Sequence, residues 1–232
     1  MDEDLNGKAA LITGASSGIG AAVARRLHEL GVRVATLSRR GGDGPLDLEA
    51  DVRDRAAVVN AVNQAAGQLG GLDIVVANSG VGMYGPFTEL SAEDAEAMID
   101  TNLKGVINTA AATVPQLIAS GGGDFISVAS VAGVNAFPGE AVYNASKFGQ
   151  VGFVRALDIE LREHGVRCSN ICPGGVTTEF ALGTGRTAGD PDLDAMMTAD
   201  EVADVVLFAL TRPRRLRLMT TTFRPMSEGS WG

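Results

Sequence analysis

The chain has 232 residues, of which 45% are hydrophobic and 20% charged, enough for one domain with a large apolar core. Its formal net charge of -9 argues against nucleic acids and anionic membranes as partners, because both repel a protein of that sign. The acidic first four residues lack the basic and apolar regions of a signal peptide, and no apolar run reaches the ~20 residues that span a bilayer. We therefore expect a cytoplasmic protein.

The first predicted unit is a strand, a glycine-rich turn and a helix. Lys8–Thr13 is a short apolar run, and Gly14-Ala-Ser-Ser-Gly-Ile-Gly20 follows it directly. A helical spacing of apolar residues then continues to Leu30, with Gly31 as the expected C-cap. Glycines in such a turn let the backbone approach a diphosphate, and the helix N-terminus offers free N–H groups to it. This context predicts a dinucleotide-binding turn.

Strands and helices alternate along the rest of the chain. The alternation predicts a single-domain, doubly wound α/β fold of the Rossmann type, with a seven-stranded parallel sheet and helices on both faces. No second domain or repeat is evident. The further strands are expected at 32–37, 46–51, 72–77, 124–130, 166–171 and 215–220, and the further helices near 54–69, 92–119, 141–164 and 198–211.

The only two cysteines, Cys168 and Cys172, lie in one predicted strand. Four residues of strand would separate them by about 13 Å, which is too far for a disulfide. We therefore interpret both as packing residues and expect no metal site, since neither histidine is near them. His28 and His164 fall alone on predicted helices, where a surface position is expected.

Tyr143 and Lys147 are four residues apart in Tyr-Asn-Ala-Ser-Lys, on a chain with only two tyrosines. Residues at this spacing share one face of a helix, so the ammonium can lie close to the phenol. A nearby cation favours the phenolate and is expected to lower the tyrosine pKa from about 10. Such a tyrosine can exchange a proton with a substrate at neutral pH.

These motifs, in this order, resemble the short-chain dehydrogenase/reductase family over about residues 8–178. The resemblance implies the doubly wound fold, a nicotinamide cofactor and an oxidoreductase activity. It is carried by Thr13-Gly-Ala-Ser-Ser-Gly-Ile-Gly20, Asn78-Ser-Gly80, Asn102, Ser130, Tyr143-x-x-x-Lys147 and Pro173-Gly-Gly-Val-Thr-Thr178.

The resemblance assigns the catalytic roles. Tyr143 would protonate a carbonyl oxygen, or deprotonate the alcohol in reverse, and Lys147 would lower its pKa and bind the nicotinamide ribose. Ser130 would donate a hydrogen bond to the substrate oxygen. Asn102 would hold a water that relays protons from Lys147 to solvent.

The cofactor-binding residues implied by the resemblance follow the whole chain. Thr178 would fix the nicotinamide carboxamide, and Asp51 and Val52 would contact the adenine, while Ser79 replaces the alanine usual between Asn78 and Gly80. The complete set is Gly14, Ser16, Ser17, Gly18, Ile19, Gly20, Ser38, Arg39, Arg40, Asp51, Val52, Asn78, Gly80, Tyr143, Lys147, Pro173, Gly174, Val176 and Thr178. No metal is expected.

The end of the second strand predicts NADP(H) as the cofactor. An NAD-specific site has a carboxylate there for the ribose diol, whereas this chain has Ser38-Arg39-Arg40. A guanidinium can bind a 2′-phosphate bidentately, a serine can add a hydrogen bond, and Gly41-Gly42 leaves room for the phosphate. Alternatively, both arginines point into solvent.

Three regions depart from the family pattern or extend it. Gly41–Pro45 is too short for the helix usually found between the second and third strands, so an irregular crossover is expected. The segment 179–197 is expected to form a small, mobile substrate lid. The tail Phe223-Arg-Pro-Met-Ser-Glu228 resembles that of a subgroup that includes hydroxy-acid dehydrogenases and small carbonyl reductases. Trp231 could cover a subunit contact or belong to a frayed end.

The sequence leaves three functions open. The first is an NADPH-dependent reductase of a small or medium carbonyl compound; the others are a non-redox isomerase or dehydratase, and a non-catalytic NADP-binding regulator. The family resemblance implies a homotetramer or homodimer joined through the helices of Asn102 and Tyr143, where Ala110–Ala112 and Ala119 would permit close helix approach. Beyond that, the expected partner is a small-molecule substrate.

Overall fold

The structure, a computed structural model, describes residues 3–41 and 44–229. It contains one seven-stranded sheet with the strand order β3-β2-β1-β4-β5-β6-β7, and every neighbouring pair is parallel. The sheet confirms the predicted doubly wound fold. Its strands are β1 (Ala9–Thr13), β2 (Arg33–Ser38), β3 (Leu46–Glu49), β4 (Ile74–Ala77), β5 (Gly123–Val128), β6 (Val166–Pro173) and β7 (Thr220–Phe223).

Helices cover both faces of the sheet. Along β1, Leu11 packs into the core beneath α2, α4 and α5, whereas the next residue, Ile12, packs into the core beneath α1 and α7. The side chains of a strand alternate between faces, so a strand buried on both faces is apolar throughout. The helices are α1 (Gly18–Glu29), α2 (Arg55–Leu69), α3 (Ala92–Met98), α4 (Gly105–Ala119), α5 (Ala141–Leu161), α6 (Pro191–Asp194) and α7 (Ala199–Leu210).

A π-helical segment interrupts the helix predicted at 92–119. Ile99–Lys104 forms this segment between α3 and α4. The buried amide of Asn102 explains it, because its Oδ1 accepts from Val81 N at 2.8 Å and its Nδ2 donates to Val81 O at 2.9 Å. The widened turn thus follows from a contact with the chain after β4, which helical spacing alone does not reveal.

The last strand was predicted in the wrong place. Residues 215–219 are turn and irregular structure, and only Thr220 of the predicted run belongs to β7. The alternation in Arg215–Thr220 has another cause, since Arg217 forms an ion pair with the buried Asp158 of α5. Arg214 likewise binds Asp124 at 2.7 Å. These arginines fasten the segment to the domain before the strand begins.

The connection between β2 and β3 is short, as expected. β2 and β3 are joined without a helix in the described residues 39–41 and 44–45, while Gly42 lies outside the described residues. The lid segment contains α6, a short helix that was not predicted. None of the described helices is both long and apolar enough to cross a membrane.

The cysteines and histidines are placed as expected. Cys168 and Cys172 are buried and unpaired, and burial raises their pKa values to about 12 and about 11. His28 and His164 are exposed. Within residues 3–41 and 44–229, no group of three metal-ligating side chains is found. Trp231 lies outside the described residues.

Candidate active site

A cleft of about 680 Å³ runs along the carboxyl ends of the strands. It opens where β1 and β4 lie side by side and the chain connections leave in opposite directions, which is the usual ligand position in open α/β sheets. Except for Asn102 and Gly20, every residue predicted to bind substrate or cofactor lines this cleft.

The glycine turn packs directly against the end of β4. Gly14 has a φ of +66°, and a Cβ at this position would lie 2.8 Å from the Cα of Ser79. A Cβ on Gly20 would lie 2.5 Å from Nδ2 of Asn78. Asn78 donates from Nδ2 to the carbonyl oxygen of Gly14 at 3.0 Å and to that of Thr13 at 3.2 Å. Asn78 therefore shapes the turn rather than offering its amide to a ligand.

Helix α1 begins at this turn with its N-terminus uncapped. The N-cap residue, Ser17, makes no side-chain hydrogen bond to the first turn, whereas Asp54, Ser91 and Thr198 cap their own helices. The N–H groups at the start of α1 thus remain available to an anionic ligand. Ser16, Ser17, Gly18 and Ile19 line the cleft beside them.

The adenine end of the cleft carries Ser38, Arg39, Arg40, Asp51 and Val52. Both arginines are exposed, and the positive charge of Arg39 helps to lower the pKa of the Asp51 carboxyl, although the ion pair of Asp51 with Arg53 has the larger effect. The Ser38 hydroxyl is buried and donates to Gly41 O at 2.9 Å. Ser38 would have to release this bond before donating to a phosphate.

The catalytic end of the cleft places Tyr143 beside Ser130. The Tyr143 phenol lies beside the hydroxyls of Ser130 and Tyr84, and the ring of Tyr84 stands nearly perpendicular to its own at a centroid distance of 5.4 Å. Ser130 Oγ also accepts from Ala132 N at 3.1 Å, which caps the turn Val131–Gly133. The hydroxyl of Ser130 is therefore fixed next to the phenol.

The pKa of Tyr143 shifts in the direction opposite to the sequence expectation. Burial raises this pKa to about 12, and the neighbouring Ser130 hydroxyl only partly opposes the rise. Lys147 lies on the same helical face, with Nζ 5.7 Å from the centre of the tyrosine ring. Removing the phenol from water outweighs a cation at that distance, so Tyr143 is a protonated acid at neutral pH.

Lys147 is held by a buried network behind the tyrosine. Its Nζ donates to Gln150 Oε1 at 3.1 Å and to Val128 O at 3.4 Å. Gln150 in turn donates from Nε2 to Ser127 Oγ at 2.6 Å. Lys147, Gln150 and Ser127 are all buried, and burial lowers the pKa of the lysine to about 8. The ammonium therefore titrates near neutrality.

Asn102 is hydrogen-bonded to α5, the helix that carries Tyr143 and Lys147. Besides its bonds to Val81, its Nδ2 donates to Ser146 Oγ at 3.0 Å, and Ser146 donates to the carbonyl oxygen of Tyr143 at 2.7 Å. The amide nitrogen is thus fully used by protein acceptors. Any proton relay through Asn102 would have to use another of its polar atoms.

The turn after β6 completes the cleft with Pro173, Gly174, Val176 and Thr178. Thr178 Oγ1 accepts from Phe180 N at 3.3 Å, and its methyl group would lie 3.3 Å from a Cβ on Gly18. Thr178 therefore lies between the glycine turn and the segment 179–197.

The short chain dehydrogenase family model matches residues 8–187 of this chain. These include all residues that line the cleft except Arg224, Glu228 and Gly229. The chain belongs to the short-chain dehydrogenase/reductase family. It is therefore an oxidoreductase whose fold binds a nicotinamide cofactor.

Relatives within the short-chain dehydrogenase/reductase family differ in their named activities. Oxidoreductase UcpA of Salmonella typhimurium is 38% identical over 207 residues, covering 84% of this chain and 79% of the relative. Glycine betaine reductase ATRR of Emericella nidulans is 34% identical over 97% of this chain, but the chain spans only 19% of that protein's length.

Two solved structures show that similar folds carry either cofactor. The closed form of a serine dehydrogenase complexed with NADP+ has a TM-score of 0.89 at 29% identity and covers 97% of each chain. Carveol dehydrogenase from Mycobacterium avium in complex with NAD has a TM-score of 0.85 at 28% identity, covering 94% of this chain and 96% of its own.

Two residues of this dehydrogenase site escaped the sequence analysis. Gln150 is three residues after Lys147, so a polar residue on the same face of a buried helix could have indicated it. Tyr84 is the other of the chain's two tyrosines and follows the Asn78–Gly80 segment. Its contact with Tyr143 depends on how the loop after β4 folds over the cleft, which the sequence does not show.

Proposed function

We propose that this protein is an NADPH-dependent reductase of a small or medium carbonyl compound, acting reversibly on the corresponding alcohol. The observation that supports this most strongly is the buried, protonated Tyr143 phenol beside the Ser130 hydroxyl, in a cleft that continues to the arginines at the end of β2. This combination supplies an acid at one end and a site for an anionic cofactor at the other.

The residues present fit a nicotinamide dinucleotide. Gly14 and Gly20 leave the floor of the turn without side chains, and a Cβ on either would meet the chain after β4. The uncapped start of α1 faces the same place, where it would receive the diphosphate. Thr178 and Lys147 would hold the nicotinamide half, and the bound cofactor would supply the hydride.

The proton and the charge on the substrate oxygen are handled by this chain. Tyr143 would donate its proton to the carbonyl oxygen as that oxygen becomes an alkoxide, and Ser130 would donate a hydrogen bond to the same atom. The charged Lys147 would stabilise the phenolate left behind. In the oxidative direction the phenolate accepts the proton of the alcohol.

Arg39 supports the choice of the phosphorylated cofactor. It is exposed at the end of β2, near enough to Asp51 to lower the pKa of that carboxyl, and it occupies the position where a carboxylate would favour the unphosphorylated ribose. Among the similar structures, the serine dehydrogenase holds NADP+ and the carveol dehydrogenase holds NAD.

The experiment is a spectrophotometric screen of the purified protein with NADPH or NADH and a panel of aldehydes and ketones. Loss of NADPH absorbance that depends on both enzyme and substrate supports the proposal. Conversion of a substrate without any change in absorbance would support the isomerase or dehydratase instead. Cofactor binding without turnover of any compound would support the regulator.

We further propose that the protein acts as a homo-oligomer in the cytoplasm. Ile107 of α4 and Phe148 and Ile159 of α5 are exposed apolar side chains on the two helices expected to meet a partner, and the unpaired cysteines suit a reducing compartment. The expected role of small residues is corrected in part, because Ala110 and Ala112 are buried within the subunit. A monomer by light scattering at micromolar concentration would contradict the assembly.

A further inference from the structure

The substrate end of the cleft contains charged side chains that the proposed reaction does not use. Aromatic residues form the walls around the Tyr143 phenol, and five ionisable groups lie along this end of the cleft. Glu179 is exposed to solvent, whereas the other four are only partly exposed: Glu140, Arg186, Arg224 and Glu228.

Arg224 and Glu228 neutralise one another. Arg224 Nε lies 2.6 Å from Glu228 Oε2, and the second carboxylate oxygen accepts from the backbone N–H of Gly175 at 2.6 Å. Both side chains are largely buried, with exposed fractions of 18% and 23%. This pair forms part of the cleft wall and leaves little net charge for a ligand.

Arg186 carries a positive charge that is held in place but not neutralised. Its NH1 donates to Val176 O at 3.0 Å, and its guanidinium lies over the Phe180 ring with Cζ 6.0 Å from the ring centre. In the described part of the chain, no carboxylate lies within 4 Å of it. A guanidinium has five N–H donors, so several of them remain for a ligand in a fixed orientation.

Glu140 carries the opposite charge and, like Arg186, has no ion-pair partner among the described residues. It precedes α5 directly, three residues before Tyr143, and is only partly exposed. Among residues 3–41 and 44–229, no side chain donates to its carboxylate and no cation lies within ion-pair distance of it. Burial raises its pKa, and Arg186 opposes the rise. A ligand cation would restore the hydrogen bonds that this carboxylate lacks.

Both charges act on the reacting group. Glu140 raises the pKa of Tyr143 and Arg186 lowers it, so both lie near the phenol. The same two charges act in the same opposite senses on Tyr84, which contacts Tyr143. A molecule whose oxygen reaches the phenol can therefore meet an unpaired cation and an unpaired carboxylate at once.

Resting on the proposed function, we propose that the substrate is zwitterionic, with a carboxylate bound by Arg186, an ammonium bound by Glu140 and the reacting oxygen at Tyr143. The smallest alcohols that carry all three groups are 3-hydroxy-2-amino acids. In the oxidative direction the C3 hydrogen leaves as hydride to NADP+, the hydroxyl proton passes to the Tyr143 phenolate, and a 2-amino-3-oxo acid forms.

The test compares four alcohols that differ only in their charged groups. NADP+ reduction is measured with the stereoisomers of threonine, with 3-hydroxybutanoate, which lacks the ammonium, with 1-aminopropan-2-ol, which lacks the carboxylate, and with 2-butanol, which lacks both. We expect kcat/KM for the best threonine isomer to exceed that for each of the other three by at least ~10-fold. Equal or higher values with a singly charged or neutral alcohol would overturn the proposal.

Variants assign each charge to its residue. Arg186→Gln should reduce the ratio of kcat/KM for threonine over 1-aminopropan-2-ol toward one, because it removes the partner of the carboxylate. Glu140→Gln should do the same to the ratio of threonine over 3-hydroxybutanoate. Arg162→Gln and Glu163→Gln change the same charges at exposed positions after α5 and should leave both ratios as in the original protein. If both ratios stay unchanged in Arg186→Gln and Glu140→Gln, the assignment is wrong.

Failure of this inference can be told from failure of the proposed function. If neutral ketones consume NADPH while no amino acid is oxidised, the reductase stands and the zwitterionic substrate is wrong. If no carbonyl compound or alcohol changes NADPH absorbance, the proposed function itself has failed. The substrate comparison needs only the original protein, so it remains decisive even if a variant does not fold.

Discussion

The two ends of the cleft are built in opposite ways. At the catalytic end, Tyr143, Lys147 and Gln150 are buried and joined by hydrogen bonds to one another or to neighbouring groups. At the adenine end, Arg39 and Arg40 are exposed on a loop beyond β2. Electrostatic effects are strong where water is excluded and weak where it is not. Substitutions should therefore have large effects at the first end and smaller ones at the second.

The largest effect is expected for Tyr143→Phe. The change removes the acid while keeping the ring that packs against Tyr84, so folding and cofactor affinity should be nearly unchanged. Turnover should fall by at least ~10²-fold, as is typical when a general acid is lost. Tyr84→Phe, which removes only a neighbouring hydroxyl, should cost about 10-fold or less. Steady-state kinetics and a thermal melt of both variants measure this, and an active Tyr143→Phe would refute the mechanism.

The pH profile tests whether the catalytic end behaves as a buried pair. Lys147, with a pKa of about 8, carries its charge below that pH, while Tyr143, with a pKa of about 12, stays protonated throughout. The kcat/KM for carbonyl reduction should be level below pH 7 and fall as pH rises through about 8, when the ammonium is lost. A profile that stays level to pH 10 would show that the lysine charge is not needed.

At the adenine end, Arg39→Ala measures how much one exposed charge contributes. The original protein should prefer NADPH over NADH by at least ~10-fold, or about 1.4 kcal/mol. The variant should lose most of this preference by weakening NADPH, with kcat/KM for NADH retained. Arg55→Ala offers a matched control, because Arg55 is also an exposed arginine but lies in the first turn of α2 and does not line the cleft. Equal or better activity of the original protein with NADH would contradict the proposed preference for NADPH.

Gln150, although it lies at the catalytic end, should change the pH at which activity declines more than the activity itself. Gln150→Leu removes the acceptor of the Lys147 ammonium, so the pKa of the lysine should fall and the decline in rate should move to lower pH. Gln150→Glu adds a negative charge and should move it to higher pH. Leucine should also lower the free energy of unfolding by about 1–3 kcal/mol, since Ser127 loses its partner. Identical pH profiles in both variants would mean that Gln150 only fills space.

Most of the fold could be predicted from sequence because its information is local. Apolar runs marked strands buried on both faces, and helical spacing marked α1, α2, α5 and α7 to within a few residues. The errors arose where a distant contact decides the local structure. The π-helical turn depends on Asn102 reaching Val81, and the start of β7 depends on Arg217 reaching Asp158.

The site was predictable to the same extent. The spacing from Tyr143 to Lys147 fixed their common helical face, but not the balance between burial and charge that sets the pKa of the phenol. Likewise, nothing in the order of motifs places Glu140 and Arg186 beside the same phenol, because one precedes a helix and the other lies in the lid. Such pairs arise only when loops from distant parts of the chain fold over one cleft.

The buried cysteines make this enzyme convenient for labelling. Thiol reagents attack the thiolate, and burial keeps Cys168 and Cys172 both protonated and out of reach at neutral pH. The protein should therefore resist labelling by maleimides even when its two native cysteines are left in place. A single cysteine introduced at an exposed lid position such as Ala188 would then carry a fluorophore alone. Its emission would report directly whether the lid moves when a cofactor or substrate arrives.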